Sequence, residues 1–299
     1  MTALDIYFGD NLEVLRALPD ASVDLIYTDP PFNTGRLQQR TRLRTVRDAN
    51  GDRVGFQGRR YATLTVGSMA FADAFDDFLA MLEPRLAEMK RLLKPAGSLF
   101  LHLDYREVHY CKVLLDAIFG RSSFINEIIW SYDYGGRPKS RWPAKHDNIL
   151  WYAVTPDDYA FNYDEIDRIP YMAPGLVGQE KAARGKTPTD VWWQTIVPTA
   201  GKERTGYPTQ KPLGIVERIV RVHSRPGDLL LDPFAGSGTL GEAAVRLGRR
   251  AVLIDNNPAA LNVMSRRLAF ATPTWHGYDP AAAQPGSSLS AGSERLVET

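Results

Sequence analysis

Cysteine is nearly absent from this sequence of 299 residues, and Cys111 is the single example. This excludes an internal disulfide and any zinc site built from clustered cysteines. Long apolar runs are also missing, as is a secretory signal, so we expect a cytoplasmic protein that does not associate with a membrane. The net charge is only +1. Overall charge therefore gives no indication of nucleic acid binding, and any such surface must be local.

A short predicted strand runs into a rigid turn near the start of the chain, at Val23–Asn33 (VDLIYTDPPFN). Two successive prolines fix the backbone and remove two amide donors. The turn would present the carboxylate of Asp29, the carbonyl groups of Pro30 and Pro31, and the ring of Phe32. These groups can hold a planar base by stacking while they accept hydrogen bonds from its exocyclic amine. A turn without any function is the simpler interpretation of Pro-Pro taken alone.

A glycine-rich turn far downstream changes that interpretation. The predicted strand Leu229–Asp232 is followed by the turn Phe234–Thr239 (FAGSGT), and a later strand ends at Asp255. Glycines between a strand and a helix allow the backbone to approach a ligand, and an acid about 20 residues later suits ribose hydroxyls. The turn is not a Walker loop, because no Gly-Lys-Ser/Thr follows, and it lacks the full GxGxxG pattern of nicotinamide enzymes.

Three motifs together carry a resemblance to a known family. They are TDPPF at Thr28–Phe32, TGYPTQKP at Thr205–Pro212 and DPFAGSGT at Asp232–Thr239, in that order. The chain from Ala3 to Phe270 resembles the β-class S-adenosylmethionine-dependent DNA amino-methyltransferases. The resemblance implies transfer of the cofactor's methyl group to an exocyclic amine of a base flipped out of double-stranded DNA, with S-adenosylhomocysteine as the product.

Strand and helix patterns alternate along the chain, which predicts an α/β fold with a doubly wound, mostly parallel sheet. Seven strands are expected, ending near residues 9, 28, 103, 130, 153, 231 and 254, and a helix is expected over residues 71–93. The resemblance implies a Rossmann-like methyltransferase sheet in circularly permuted order, with the Asp232 strand beside the Asp29 strand. One domain over residues 1–272 is expected, followed by a disordered tail over 273–299 that is rich in Ala, Pro, Gly and Ser.

The resemblance also assigns roles to individual residues. Those expected at the reacting amine are Asp29, Pro30, Pro31 and Phe32. Those expected around the cofactor are Asp10, Asp29, Lys211, Asp232, Phe234, Gly236, Ser237, Gly238, Thr239, Asp255 and Asn256. The competing interpretation is that each of the acids Asp10, Asp29 and Asp255 only caps a helix or stabilises a turn.

The target base is less narrowly defined by the motifs. At the position of Asp29, the first residue of the Asp-Pro-Pro-Phe turn, adenine enzymes of the family usually carry Asp and cytosine-N4 enzymes usually carry Ser. Asp29 therefore favours the N6 amine of adenine. The N4 amine of cytosine stays open, and a non-catalytic DNA-binding protein or an RNA methyltransferase is less favoured. Cys111 follows Tyr110 rather than the proline used by carbon-5 cytosine enzymes, so we expect a buried thiol. Assembly as a homodimer and a cognate restriction endonuclease are left open.

Two segments are expected to face DNA. The insertion 36–60 contains eight arginines against two aspartates, a charge of +6, and is predicted to be a mobile arm with a hairpin turn at Asn50–Asp52. Residues 134–202 show no clean periodicity and occupy the position of the family's target-recognition region; Trp192 and Trp193 within them are expected in the core. The predicted DNA contacts are Arg36, Arg40, Arg42, Arg44, Arg47, Arg59, Arg60, Arg137, Lys139 and Arg141.

Overall fold

The computed structural model describes residues 3–31, 36–47, 53–54, 60–73, 77–198 and 201–282. Within them lie twelve strands: β1 Leu4–Phe8, β2 Val23–Thr28, β3 Arg36–Arg47, β4 Arg53–Val54, β5 Arg60–Asp73, β6 Leu93–Leu103, β7 Phe124–Ser131, β8 His146–Ala153, β9 Val191–Trp193, β10 Leu229–Asp232, β11 Arg250–Asp255 and β12 Thr274–His276. The α-helices are α1 Asn11–Ala17, α2 Phe78–Leu92, α3 Val108–Phe119, α4 Gln179–Arg184, α5 Leu213–His223, α6 Thr239–Arg246 and α7 Pro258–Arg267.

Nine of these strands form one sheet in the order β12-β1-β11-β10-β2-β6-β8-β7-β9. Neighbours from β12 to β6 are parallel, and β8 runs antiparallel to both β6 and β7. Leu230 and Leu231 of β10 pair with Leu25 and Ile26 of β2. This pairing confirms the permuted order, because two strands some 200 residues apart in the chain are neighbours in the sheet.

Both faces of the sheet are covered by helices. Apolar side chains of α1, α2 and α3 pack on one face, and those of α5, α6 and α7 pack on the other. Alternate residues of a strand supply the two cores: Leu230 faces the second group, whereas Leu229 and Leu231 face the first. The doubly wound α/β fold is therefore confirmed. Of the helices in the described part of the chain, none is long and apolar enough to cross a lipid bilayer.

Several predicted boundaries are wrong. The seven expected strands are present, but the short edge strands β9 and β12 were missed. Because β12 pairs with β1, the folded part continues past residue 272, and the predicted start of the tail at 273 is too early. Residues 283–299 lie outside the described residues. The helix predicted from residue 71 begins instead at Phe78, where the Asp77 carboxylate caps it through the amide of Ala80.

The backbone of the arginine-rich insertion is extended where the structure describes it, and the mobility of the arm stays a prediction. The backbone of β3 pairs with β5 in an antiparallel ladder, β4 adds to the other side of β5, and the three strands form a separate sheet. The predicted hairpin turn at 50–52 and Arg59 lie outside the described residues. In chain order these antiparallel strands follow β2, which leads into the Asp29 turn, and precede α2.

Candidate active site

A cavity of about 480 Å³ lies where four neighbouring parallel strands end. One carboxyl group follows or ends each of β1, β2, β10 and β11 and lines the cavity: Asp10, Asp29, Asp232 and Asp255. The cationic side chains among the lining residues are Arg85 and Lys211. Four carboxyl groups against two cations make a lining that suits a positively charged ligand. The volume falls within the roughly 300–1,000 Å³ usual for cofactor sites.

Asp29 lies at the far end of this cavity, in the rigid turn after β2. Its Oδ2 forms an ion pair with the ammonium group of Lys211. Its Oδ1 is buried and has no hydrogen-bond partner among the described residues. Because a buried carboxylate oxygen without a donor is costly, this atom is prepared to accept a hydrogen bond from a ligand. Pro30 and Pro31 line the same cavity.

Lys211 reaches Asp29 from a tightly held segment, Thr205–Pro212. The Gln210 side chain ties the segment together: its Oε1 accepts from the amide and hydroxyl of Thr205, and its Nε2 donates to the Glu203 carbonyl 2.7 Å away. Thr209 has a φ of 57°. Positive φ is strained for a β-branched residue and is maintained where the surroundings impose it. The QKP motif therefore specifies a rigid wall with one cation at a fixed place.

The glycine-rich turn forms another side of the cavity. Gly236 has a φ of 50°, and a Cβ on it would lie 3.2 Å from the ring of Tyr207. Its amide donates to Asp255 Oδ2 over 2.8 Å, so the turn is fixed to the end of β11. Gly238 behaves differently, because its added Cβ would meet Met264 at 2.8 Å. Close packing of the turn on α7, rather than contact with the cavity, explains glycine at that position.

Asp232 and Asp255, the two acids on either side of the glycine-rich turn in the sequence, have raised pKa values. Burial raises the pKa of Asp232 well above its ordinary value, and the charges of Asp29 and Asp255 add to this effect. Burial also raises the pKa of Asp255 to about 6, although backbone amides of Asn257 and Gly236 partly oppose the shift. A cation bound in the cavity would stabilise both carboxylates and so favour their ionised forms.

Arg85 is a cavity residue that the sequence motifs did not indicate. It extends from α2 and donates to Asn11 Oδ1 at 2.6 Å and to Asp10 Oδ2 at 3.1 Å. Asp10 also caps α1 by accepting from the amide of Leu12, so it serves both as a cap and as part of the cavity lining. The contact joins residues some 75 positions apart, which no local pattern reveals.

Most of the predicted cofactor residues meet in this one cavity. Those that line it are Asp10, Asp29, Lys211, Asp232, Phe234, Gly236, Ser237, Thr239, Asp255 and Asn256. Gly238 does not line it, and Phe32 lies outside the described residues. Further lining residues that sequence reasoning missed include Asn11, Tyr27, Met81, Arg85, Tyr207 and Asn257. Of these, Tyr207 lies within the quoted TGYPTQKP motif, which was the available signal.

A second cleft, of about 860 Å³, shares part of its wall with the first cavity. Tyr207, Thr209, Gln210 and Lys211 line both. The rest of the cleft comes from the ends of β7 and β8 and from loops of the irregular region, with exposed aromatic side chains such as Tyr105 and Tyr134. Lys211, which pairs with Asp29, belongs to this shared wall, so the two openings could hold a cofactor and a second, larger ligand on either side of it.

Buried polar groups connect the two openings beneath Asp29. The Tyr27 hydroxyl lies 2.7 Å from His102 Nδ1, and His102 Nε2 lies 3.2 Å from Asp147 Oδ2. Tyr132 donates to the other oxygen of Asp147 at 3.0 Å. Burial opposes ionisation of Asp147, but the His102 hydrogen bond and the charges of His102 and Lys211 lower its pKa below the ordinary value. Tyr27 lines the first cavity, and Tyr132 lines the second.

The predicted DNA contacts are only partly described. Arg137 is exposed and forms a two-pronged ion pair with Asp133, which offsets its charge. Lys139 and Arg141 are exposed in the same loop. For Arg36, Arg40, Arg42, Arg44, Arg47 and Arg60 the backbone lies in β3 or β5, and their side chains are outside the description.

The remaining expectations concern single side chains. Trp192 is buried, as predicted, but Trp193 is 70% exposed and the prediction for it is wrong, because alternate side chains of the edge strand β9 point to opposite faces. Cys111 is buried, and burial raises the pKa of its thiol to about 12, so it is not a nucleophile. No cluster of three or more potential metal ligands occurs among the residues that the structure describes.

Comparison with known proteins agrees with this geometry. A family model described as DNA methylase, covering N6 and N4 methyltransferases, matches residues 23–266. The chain belongs to this family. It is 30% identical over 257 residues to the type II methyltransferase M.HpaI of Haemophilus parainfluenzae, covering 86% of this chain and 71% of that protein. It is 29% identical to the DNA adenine methyltransferase YhdJ of Escherichia coli K12, covering 90% and 84%.

Two solved structures share the fold. A complex of the methyltransferase M1.HpyAVI with S-adenosylmethionine superposes with a TM-score of 0.57 at 22% identity, covering 89% of this chain and 98% of that one. The cytosine-N4-specific PvuII DNA methyltransferase superposes with a TM-score of 0.60 at 17% identity, covering 89% and 88%. At these identities the likeness shows a Rossmann-like methyltransferase fold. An adenine enzyme thus occurs among the sequence relatives of this DNA methylase, and a cytosine-N4 enzyme occurs among the structures that share its fold.

Proposed function

We propose that this DNA methylase transfers a methyl group from S-adenosylmethionine to the N6 amine of adenine in double-stranded DNA. The observation that carries the proposal is the state of Asp29, with one carboxylate oxygen held by Lys211 and the other buried without a partner among the described residues. An acceptor in that state, paired with a lysine in the wall that the two openings share, suits an exocyclic amine.

The first cavity fits the cofactor. S-adenosylmethionine carries a sulfonium and an ammonium group, and the acidic lining complements both; when bound, it supplies an electrophilic methyl group. Asp255, which ends β11 and lines the cavity, would accept hydrogen bonds from ribose hydroxyls. Gly236 leaves room beside Tyr207 that any side chain would fill.

The chain's own residues would then act on the target amine. Its lone pair is delocalised into the ring, so it is a poor nucleophile until its geometry changes. Asp29 Oδ1 and the Pro30 carbonyl would accept the two amine hydrogens and favour a pyramidal nitrogen. Positioning of this kind can save roughly 7–11 kcal/mol of barrier. After transfer, the amine nitrogen is acidic and loses its proton, for which Asp29 is the nearest acceptor.

DNA would occupy the second cleft. A base can reach Asp29 only after leaving the duplex, and the aromatic lining of the cleft offers faces on which an extruded base or its neighbours can stack. Phe32 is proposed to stack on the target base. Arg137, Lys139, Arg141 and the arginines of the insertion are proposed to contact phosphates. Homodimer formation and a cognate endonuclease are further proposals, the latter because M.HpaI is a type II methyltransferase.

We propose adenine as the target base because the Asp-Pro-Pro-Phe turn begins with Asp29 rather than serine, and because the relative YhdJ is an adenine enzyme. The test uses unmethylated bacterial DNA and S-adenosylmethionine labelled in its methyl group, followed by digestion to nucleosides and mass spectrometry. We expect labelled N6-methyladenine. Labelled N4-methylcytosine would overturn the choice of base, and a lack of label in DNA despite cofactor binding would overturn the proposed activity.

A further inference from the structure

Lys211 makes a contact that a cofactor-binding role does not require. The resemblance places it near the cofactor, whereas in the structure its ammonium group is paired with Asp29 Oδ2. The lysine side chain is 7% exposed and the aspartate side chain 18% exposed, so the pair is largely removed from water. We infer that Lys211 is a positioning residue for Asp29, an inference that rests on the proposed amine methylation.

The inference depends first on how firmly Lys211 is held. The neighbouring Gln210 closes the loop on Thr205 and Glu203, and Pro212 follows directly as the N-cap of α5. The Lys211 carbonyl accepts from the hydroxyl of Thr239, in the glycine-rich turn, over 3.4 Å. The backbone of Lys211 is therefore joined to the glycine-rich turn, and its side chain is joined to the Asp29 turn.

The ion pair with Lys211 gives the two carboxylate oxygens of Asp29 different roles. The Lys211 ammonium occupies Oδ2, which leaves Oδ1 as the oxygen that faces a ligand. A carboxylate on a rotatable side chain can otherwise turn about its terminal bond, which has a broad preference. With Oδ2 fixed, Oδ1 has a defined direction, and a well-directed acceptor is what positioning of the amine needs.

The charges around Lys211 favour the same arrangement. Asp232 and Asp147 lie near enough to the ammonium group for its charge to lower the pKa of each. Without Lys211, the Asp29 carboxylate would face Asp232 in a buried, acidic environment with no compensating cation at this end of the cavity. A cofactor ammonium group would then compete for the carboxylate that the target amine requires. Lys211 pairs with Asp29 Oδ2 and leaves Oδ1 available for the target amine.

The two roles of Lys211 predict different kinetics. If it only binds cofactor, its loss raises the cofactor dissociation constant, and saturating cofactor restores the rate. If it positions Asp29, its loss slows methyl transfer in the saturated complex. Lys211→Met is the informative change, because methionine keeps an unbranched apolar stem and removes the charge.

The experiment measures cofactor affinity by calorimetry and single-turnover methyl transfer to DNA at saturating cofactor. For Lys211→Met we expect a rate loss on the order of 100-fold, similar to loss of one preorganised electrostatic partner, with the dissociation constant within about threefold of wild type. Lys211→Arg should recover part of the rate. Lys94→Met is the matched control, because Lys94 pairs with Asp24 at 2.8 Å outside both openings, and it should leave both quantities unchanged.

A double-mutant cycle keeps the inference testable without activity. Lys211→Met strands a buried carboxylate, so combining it with Asp29→Asn should lower the melting temperature by less than the sum of the single changes. Additive shifts would contradict the coupling. So would a Lys211→Met enzyme with weakened cofactor binding and a normal saturated rate. If the wild type transfers no methyl group to DNA, the proposed function fails, while the melting-temperature cycle still tests the pair.

Discussion

The two openings that share Lys211 in their walls differ in how the chain builds them. The first is formed by the carboxyl ends of parallel strands, each contributing one aspartate, with a glycine turn fixed between them. The second lies beside the antiparallel strands β7 and β8 and is completed by irregular loops with aromatic side chains. Regular geometry thus builds the opening proposed for the invariant cofactor, and loops build much of the opening proposed for the variable DNA substrate.

Among the variants that should affect one opening and not the other, a change in the glycine-rich turn is expected to have the largest effect. Gly236→Val places a β-branched residue at a φ of 50° and drives it into the ring of Tyr207. We expect cofactor affinity to fall by at least about tenfold, or about 1.4 kcal/mol of binding free energy, because the added side chain and the shift of Tyr207 change the shape of the cavity wall. Calorimetric titration with S-adenosylmethionine measures it.

Gly248→Val is the matched control for that change. Gly248 has a φ of 74°, but the space around it is open and it lines neither opening. This variant should lose stability without losing cofactor affinity. An equal loss of affinity in both variants would show that backbone strain alone, rather than the shape of the cavity, explains the effect.

A change in the second cleft should act on DNA alone. Tyr134 is 61% exposed and lines that cleft, whereas Tyr110 on α3 is 63% exposed and lines neither opening. Aromatic stacking on a base is worth about 1–3 kcal/mol, so Tyr134→Ala should raise the KM for DNA by about tenfold with cofactor affinity unchanged. Tyr110→Ala should change neither value. Equal effects of the two variants on the KM for DNA in a steady-state assay would show that the second cleft does not bind DNA.

The smallest expected effect concerns pH and the cofactor cavity. The pKa of Asp255 is about 6 against an ordinary value of 3.8. The unfolded chain therefore ionises first, and the stability of the cofactor-free protein should fall as pH rises from about 4 to about 6. Affinity for the cationic cofactor should rise over the upper part of that window, as Asp255 becomes charged. Titrations at pH 5 and pH 7 test this, and Asp255→Asn should remove most of the difference.

What the sequence could reveal follows the same division. The strand ends and the carboxylates of the first cavity were predictable, because they depend on short motifs and on the rule that parallel strands end at one edge. The permuted order was predictable only because the family resemblance implied it. Arg85, and the chain from Tyr27 through His102 to Asp147, were not predictable. Their contacts join side chains from different elements, and such contacts leave no local periodicity.

Other errors have equally physical causes. The residues before Phe78 had helical apolar spacing, yet the backbone of Phe71–Asp73 belongs to β5, because pairing with β3 outweighs local propensity there. Trp193 was assigned to the core from its type alone, although an edge strand exposes every second residue.

The central claim is that Asp29 acts on the target amine and not in binding the cofactor. The most direct measurement is single-turnover methyl transfer by Asp29→Ala with DNA and saturating S-adenosylmethionine, together with its cofactor dissociation constant. The account predicts a rate loss on the order of 10³-fold or more, within the span that a positioned acid or base contributes, and a dissociation constant within about threefold of wild type. A normal rate of transfer would contradict it.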